Sequence, residues 1–393
     1  MRQLRPFLWI ALAGAGMLSG APPVVRPGID VLLTDSIGIV TGRRVGLLTN
    51  QTGVDQAGVG DLERLLAAHV NVTAIFSPEH GYRGTLNREN IGNTVDSATG
   101  IPIYSLYGAL RAPTPAMLAG VDVLLIDLQD IGARTYTYVS TALLAMRAVH
   151  DAGGAVRVVV LDRPNPIGGV LVQGPGIDTA AMSFVGALVV PMRHGMTLGE
   201  LATFGNQRLA MGASLTVVPA AGWRRDMWLD RTGLPWIDPS PNMPSLASAT
   251  LYPGLVLLEG TRVSVGRGTP LAFQVFGAPW LDPGRVRAAI GQVPGVALRD
   301  TTFVPRSPSD GKFGGQVVRG FRVIITNRTE LDPTRLGVRV LAALWRVYRD
   351  TLRFDDKGFD RLAGGSTVRT ALRRGEDGDA IWRSWAPEVE RFR

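Results

Sequence analysis

The chain contains no cysteine. That absence excludes disulfides, Cys-ligated zinc, iron–sulfur clusters and thiol nucleophiles, as well as a lipidated N-terminal cysteine. Histidine is scarce, with four in 393 residues. No H-E-x-x-H pairs two of them on a helix, so neither composition nor spacing supports a metal centre. No G-x-G-x-x-G follows a strand-like run and no P-loop pattern occurs, which leaves dinucleotide and P-loop nucleotide binding without support. Gly266-Arg267-Gly268-Thr269 is too short to cradle a phosphate. The missing G-x-S-x-G weakens an α/β-hydrolase esterase. Charged residues make up only 19% of the chain. The arginines are scattered and mostly accompanied by acids, with no basic stripe interleaved with aromatics, so nucleic acid is not the expected partner. The net charge of +8 suits an anionic cell-envelope polymer instead.

The N-terminus reads as a secretory signal peptide over residues 1–21. Arg2 and Arg5 supply the positive region, residues 7–18 the apolar core, and Ser19-Gly20-Ala21 a small-residue cleavage zone. The apolar run is shorter than the ~20 residues of a membrane span, and no later stretch is long and apolar enough to make one. The expected product is an exported protein, periplasmic or extracellular, with no stable membrane insertion after cleavage. Without disulfides it is held by its core alone. The length accommodates two domains of ~100–200 residues each, and 46% apolar residues provide for a real core.

Continuous apolar runs alternate with amphipathic segments through the first two-thirds of the chain. Strands are expected at 43–48, 70–76, 101–106, 121–128, 156–161, 187–190 and 215–218. Helices are expected from Asp61, Thr114 and Thr197 and over the dozen residues before His150. This alternation predicts an α/β fold, a Rossmann-like parallel sheet with helices on both faces, over residues 29–240. A Trp- and Pro-rich crossing at 226–245 leads to a smaller α+β domain at 246–393. There strands are expected at 255–258, 273–276 and 321–326, with a long helix at 335–352 and then a charged tail.

Several strands end in polar, Gly- or Pro-punctuated loops, which a parallel sheet gathers along one edge. The most crowded is Ser77-Pro78-Glu79-His80-Gly81-Tyr82-Arg83-Gly84. Others bring Asn50, Asp127 and Asp130 to Arg134, Asp162-Arg163-Pro164-Asn165, and Arg193-His194. With thiol, metal and nucleotide chemistry set aside, carboxylates and hydrogen-bonding groups remain. That is the equipment of cofactor-free glycoside hydrolysis, in which one carboxylic acid protonates the leaving oxygen and a second group stabilises or attacks the anomeric carbon. Glu79, beside His80, is the candidate acid. Asp127, Asp130 and Glu259 are candidates for the second group, Asp130 being better placed for substrate contact at a loop tip. Arg134, Arg163, Arg193 and Arg267 are candidates to hold an anionic substrate by forked hydrogen bonds. Tyr136 and Tyr138 are candidates for sugar stacking or for the core.

Together, the segments around Asn50-Gln51-Thr52-Gly53, Ser77-Pro78-Glu79-His80-Gly81, Gln129-Asp130-Ile131-Gly132-Ala133-Arg134-Thr135-Tyr136, Asp162-Arg163-Pro164-Asn165-Pro166, Arg193-His194-Gly195, Pro239-Ser240-Pro241-Asn242 and Glu259-Gly260-Thr261 resemble the NamZ-type exo-β-N-acetylmuramidases. The resemblance covers nearly the whole chain after the signal. It implies a Rossmann-like catalytic domain, a C-terminal auxiliary domain and a cleft between them. It also implies release of N-acetylmuramic acid (MurNAc) from non-reducing ends of peptidoglycan fragments such as MurNAc-GlcNAc and muropeptides, without a cofactor. The family's acid falls on Glu79. Glu79, His80 and Asp130 are then the expected catalytic residues. Asn50, Arg83, Arg134, Tyr136, Asp162, Arg163, Asn165, His194, Asn242, Glu259 and Arg267 are the expected substrate contacts. A non-catalytic exported binding protein for muropeptides or another anionic saccharide would use the same cleft.

Overall fold

The computed structural model describes residues 24–88 and 90–393; the signal segment expected over 1–21 lies outside the described residues. Seven strands form the larger sheet: β1 (Arg44–Thr49), β2 (Asn71–Ser77), β3 (Thr94–Val95), β4 (Pro102–Ser105), β5 (Val123–Asp127), β6 (Arg157–Leu161) and β7 (Leu215–Val218). Their order is β3-β4-β2-β1-β5-β6-β7. Every pairing is parallel except that of β3 with β4. Leaving out β3, the strands lie in the doubly wound order, which reverses direction between β1 and β5.

The strands read as continuous apolar runs because both faces are covered. Val45, Leu47, Leu125, Val159 and Leu161 point into a layer shared with Ile29 and Leu32 of helix Gly28–Asp35 and with Leu62 and Leu65 of helix Asp61–Ala67. Leu48, Phe76, Leu124, Ile126, Val158 and Val160 point the other way. They meet helices Tyr138–Asp151 and Leu198–Arg208, and the same apolar layer continues through Phe276, Phe321, Leu341 and Phe359. Those residues belong to a second, antiparallel sheet and its helices: β8 (Val275–Ala278), β9 (Val296–Phe303) and β10 (Val318–Ile325), in the order β8-β10-β9. The two sheets fall on either side of the 226–245 crossing, yet their side chains merge into one core.

Four expectations are corrected. Residues 255–258 are not a strand; helix Leu246–Leu255, capped by the Ser245 side chain, runs on as a 3-10 turn, Val256–Gly260. A short, fully buried apolar run carries no period that distinguishes strand from helix. Residues 187–190 form no strand. The backbone pairs only further on, where Arg193 bridges Ala133 and Gln173. Strand β9 was not anticipated, because its residues are half-exposed. The charged tail is four helices, Asp356–Ala363, Thr367–Arg373, Gly378–Ser384 and Ala386–Phe392, whose charge marks a solvent face over buried Phe359, Leu372, Ile381 and Trp385. Among the described residues no helix is long and apolar enough to cross a membrane.

Candidate active site

Strand β2 ends at Ser77 and the chain turns back on itself at once. The Gly81 N–H donates to the Pro78 carbonyl and the Gly84 N–H to the Gly81 carbonyl, both at 3.0 Å. His80, Gly81 and Gly84 have φ of 72°, 77° and 67°. Glycine adopts this left-handed region freely, and a Cβ on Gly84 would lie 2.0 Å from the Gln51 side chain. His80 has a Cβ and is strained there, at a cost of about 1–3 kcal/mol. Its ring Nδ1 lies 2.8 Å from the Leu86 carbonyl oxygen. A carbonyl only accepts, so Nδ1 carries the proton and the Nε2 lone pair is left for other partners. Burial is the main force lowering the imidazole pKa, and the Arg267 charge adds to it against the opposing pull of Glu79 and Leu86. His80 is therefore neutral at neutral pH.

The turn delivers Glu79 to a cleft of about 470 Å³. The Thr137 hydroxyl, from the loop after β5, donates to Glu79 Oε2 at 2.6 Å. The Tyr107 phenol, from beyond β4, lines the same cleft and feels the Glu79 charge. Burial and that carboxylate push its pKa up to about 12, so it stays a donor. Arg111 stacks its guanidinium on Tyr107 at 4.2 Å and on Phe184 at 4.3 Å, bracing the phenol. An aromatic row forms another wall. Tyr136 packs edge-on against Tyr138 and Tyr252, and Tyr252 against Phe273, with centroids 5.0, 6.0 and 4.7 Å apart. Tyr138 is locked from both sides: its hydroxyl accepts from Asn50 Nδ2 at 2.8 Å and donates to the Pro239 carbonyl.

The C-terminal region closes the cleft with Tyr252, Glu259, Arg267, Phe273, Ser309 and Leu362. Arg267 grips Glu259 with Nε on Oε1 and Nη2 on Oε2, the latter at 3.1 Å. Lys312 Nζ ties down the backbone beneath, donating to the carbonyls of Glu259 at 2.8 Å and Val263 at 3.2 Å. Asn242 Nδ2 donates to Ser309 Oγ at 3.3 Å and to Asn87 Oδ1 at 3.4 Å.

Of the residues singled out from the sequence, Glu79, His80, Tyr136, Tyr138, Asn242, Glu259 and Arg267 line this cleft. The others do not. Asp130 is buried rather than at a loop tip: Oδ2 accepts the Gly132 N–H at 2.7 Å and lies 3.5 Å from His194 Nε2. His194 is itself buried, with Nδ1 accepting from the Met196 N–H. Asn50 acts through Tyr138. Arg83 is exposed and lines shallower hollows outside. Asp162 holds the start of helix Leu198–Arg208 through Thr197 Oγ1 and the Gly199 N–H, and Asn165 braces Ile167 and Met196. Arg163 forks Asp127 in the interior. Arg134 reaches the Leu362 carbonyl at 3.2 Å from behind the cleft wall, and Arg193 directs Nη1 to Gln173 and Nη2 to the Ile167 carbonyl. The shared reason is that strand-end loops in a thick α/β layer must satisfy their own backbone first, so polar residues there are consumed as internal braces. Tyr107, Thr137, Tyr252, Phe273 and Ser309 were missed. Tyr107 ended an expected strand and was recoverable on that ground; the others carry no sequence signal of their own.

The fold has known counterparts. Two crystal structures of DUF1343 family proteins from Bacteroides fragilis NCTC 9343 superpose with TM-scores of 0.84 and 0.71 at 34% and 33% identity. Each alignment covers 94% of this chain, and 97% and 96% of the two structures. The Peptidoglycan beta-N-acetylmuramidase NamZ of Bacillus subtilis (strain 168) is 38% identical over 375 residues, 94% of this chain and 89% of that protein. Residues 45–247 match the family described as Exo-beta-N-acetylmuramidase NamZ, N-terminal, and residues 250–393 match its C-terminal counterpart. The class of protein these likenesses define is a glycosidase. The chain belongs to the NamZ exo-β-N-acetylmuramidase family.

Proposed function

We propose that this glycosidase releases MurNAc from the non-reducing ends of peptidoglycan fragments, with Glu79 as the general acid and side chains alone supplying the chemistry. The observation that carries the reading is the setting of Glu79, in a polar-rimmed, aromatic-walled cleft with the Thr137 hydroxyl as its hydrogen-bond partner. A hydroxyl can donate to a carboxylate or accept from a carboxylic acid, so both forms of a proton donor are accommodated. The aromatic row suits a sugar face, and the curated relative is named for the same bond. Incubating the purified chain with a MurNAc-GlcNAc disaccharide is expected to yield free MurNAc and GlcNAc, read by mass spectrometry. Tight binding without release would overturn the proposal in favour of a muropeptide-binding protein.

Residues 1–21 support export to the periplasm or medium, where such fragments arise. Mass measurement of the protein recovered from those compartments is expected to show a chain starting at residue 22. Full-length protein confined to the cytoplasm would refute this.

A further inference from the structure

The cleft holds two carboxylates in opposite surroundings. Glu79 meets the Thr137 hydroxyl, which serves a protonated or an ionised partner equally. Glu259 meets a guanidinium in a two-point fork. A guanidinium has donors only and no lone pair to accept from a carboxylic acid, so the fork holds Glu259 as an anion. Its side chain is 15% exposed and lines the cleft, and the Lys312 bonds to the Glu259 and Val263 carbonyls fix the backbone under it. The other acids considered for this role lie elsewhere: Asp127 is fully buried against Arg163, and Asp130 is turned toward His194.

One carboxylate able to carry a proton and one fixed as an anion is the division that glycosidic bond cleavage requires. We infer that Glu259 is the second catalytic residue, the anion that stabilises the positive charge growing on the anomeric carbon; this rests on the glycosidase reading above. As the bond from the anomeric carbon to the leaving oxygen breaks, that oxygen takes the Glu79 proton. A water oxygen then bonds to the anomeric carbon and releases a proton that restores Glu79, so one water is consumed. The C-terminal region supplies half of the catalytic pair on this reading, and the N-terminal sheet alone is not an active unit.

The test compares E259A and E259Q with wild type on MurNAc-GlcNAc. Both are expected to lose about 10²–10³ in kcat, the range for removing one preorganised electrostatic group, while KM changes only a few-fold. Sodium azide added to E259A is expected to fill the vacated anion position and produce MurNAc azide. If Glu259 only tethers Arg267, the loss falls on KM and no glycosyl azide forms, which overturns the inference. Near-native turnover by E259Q overturns it as well. If E259A does not fold, E259Q decides by kcat, since its amide oxygen can still accept from Arg267. Wild type that releases no MurNAc sinks the substrate proposal instead. A wild type that turns over alongside active Glu259 variants sinks this inference alone.

Discussion

Glu79→Gln is expected to cut kcat/KM on a MurNAc-GlcNAc disaccharide by about 10³, equivalent to ~4 kcal/mol of transition-state stabilisation. The glutamine keeps the shape of the side chain, and its carbonyl still accepts from Thr137 Oγ1, which bonds Oε2 at 2.6 Å in the native site. What it loses is a transferable proton. A sugar alkoxide is a poor leaving group and needs that proton as the bond breaks. A nitrophenolate does not. The same variant is therefore expected to lose far less on a nitrophenyl MurNAc glycoside, and the gap between the two substrates is the signature of a missing acid. Equal losses on both would point to damaged binding, and near-native rates on the disaccharide would remove Glu79 from the acid role.

The largest stability effect is expected at Arg163. Its Nε and Nη2 fork both oxygens of Asp127, the Nη2 contact at 3.0 Å. Nη2 also donates to the Val54 carbonyl at 2.6 Å and lies 3.9 Å from Asp61 Oδ1. All three side chains are buried, so two carboxylates share one guanidinium in the interior. Burial pushes both acids above the usual carboxylate range, the Asp127 charge pushes Asp61 further, and Arg163 pulls both down. Arg163→Met fills much of the volume but strands the acids. The expected cost is about 3–5 kcal/mol, a large share of the ~5–15 kcal/mol of a typical domain, read from the denaturant midpoint at pH 7.5. The sign with pH follows from linkage. Without Arg163 the acids titrate still higher in the folded state than in the unfolded chain, so the folded state binds more protons and stability falls as pH rises. The deficit is accordingly expected to shrink at pH 5. A cost below ~1 kcal/mol, or a deficit that grows on acidification, would show that Arg163 does not neutralise this cluster.

That cluster also explains why the open cleft is displaced. Doubly wound sheets bind ligands at the point where strand order reverses, here between β1 and β5. Asp127 at the end of β5, Asp61 and Arg163 occupy that crevice as an ion cluster, and Asn50 at the end of β1 is committed to Tyr138. The open cleft lies instead beyond β2, β4 and the β5 loop, where Glu79, Tyr107 and Thr137 meet the C-terminal region. Both settings look alike in sequence, because a polar residue after a strand reads the same whether it braces a loop or faces a ligand.

By itself the sequence determined the doubly wound sheet, since unbroken apolar runs are what strands covered on both faces require. It also determined the Glu79 turn: Pro78 restricts the backbone while Gly81 and Gly84 admit its left-handed φ, and such local signals are legible residue by residue. Tertiary structure alone decided which polar residues face solvent. Asp130, Arg163 and His194 went to internal bonds, while Glu259 and Tyr252 were carried into the cleft from a helical stretch whose period was invisible in sequence. The physical reason is that burial and pairing are properties of the assembled core, set by contacts between segments hundreds of residues apart. Glu79 was visible in the chain; choosing Glu259 over Asp127 and Asp130 as its proposed partner required the two sheets packed together.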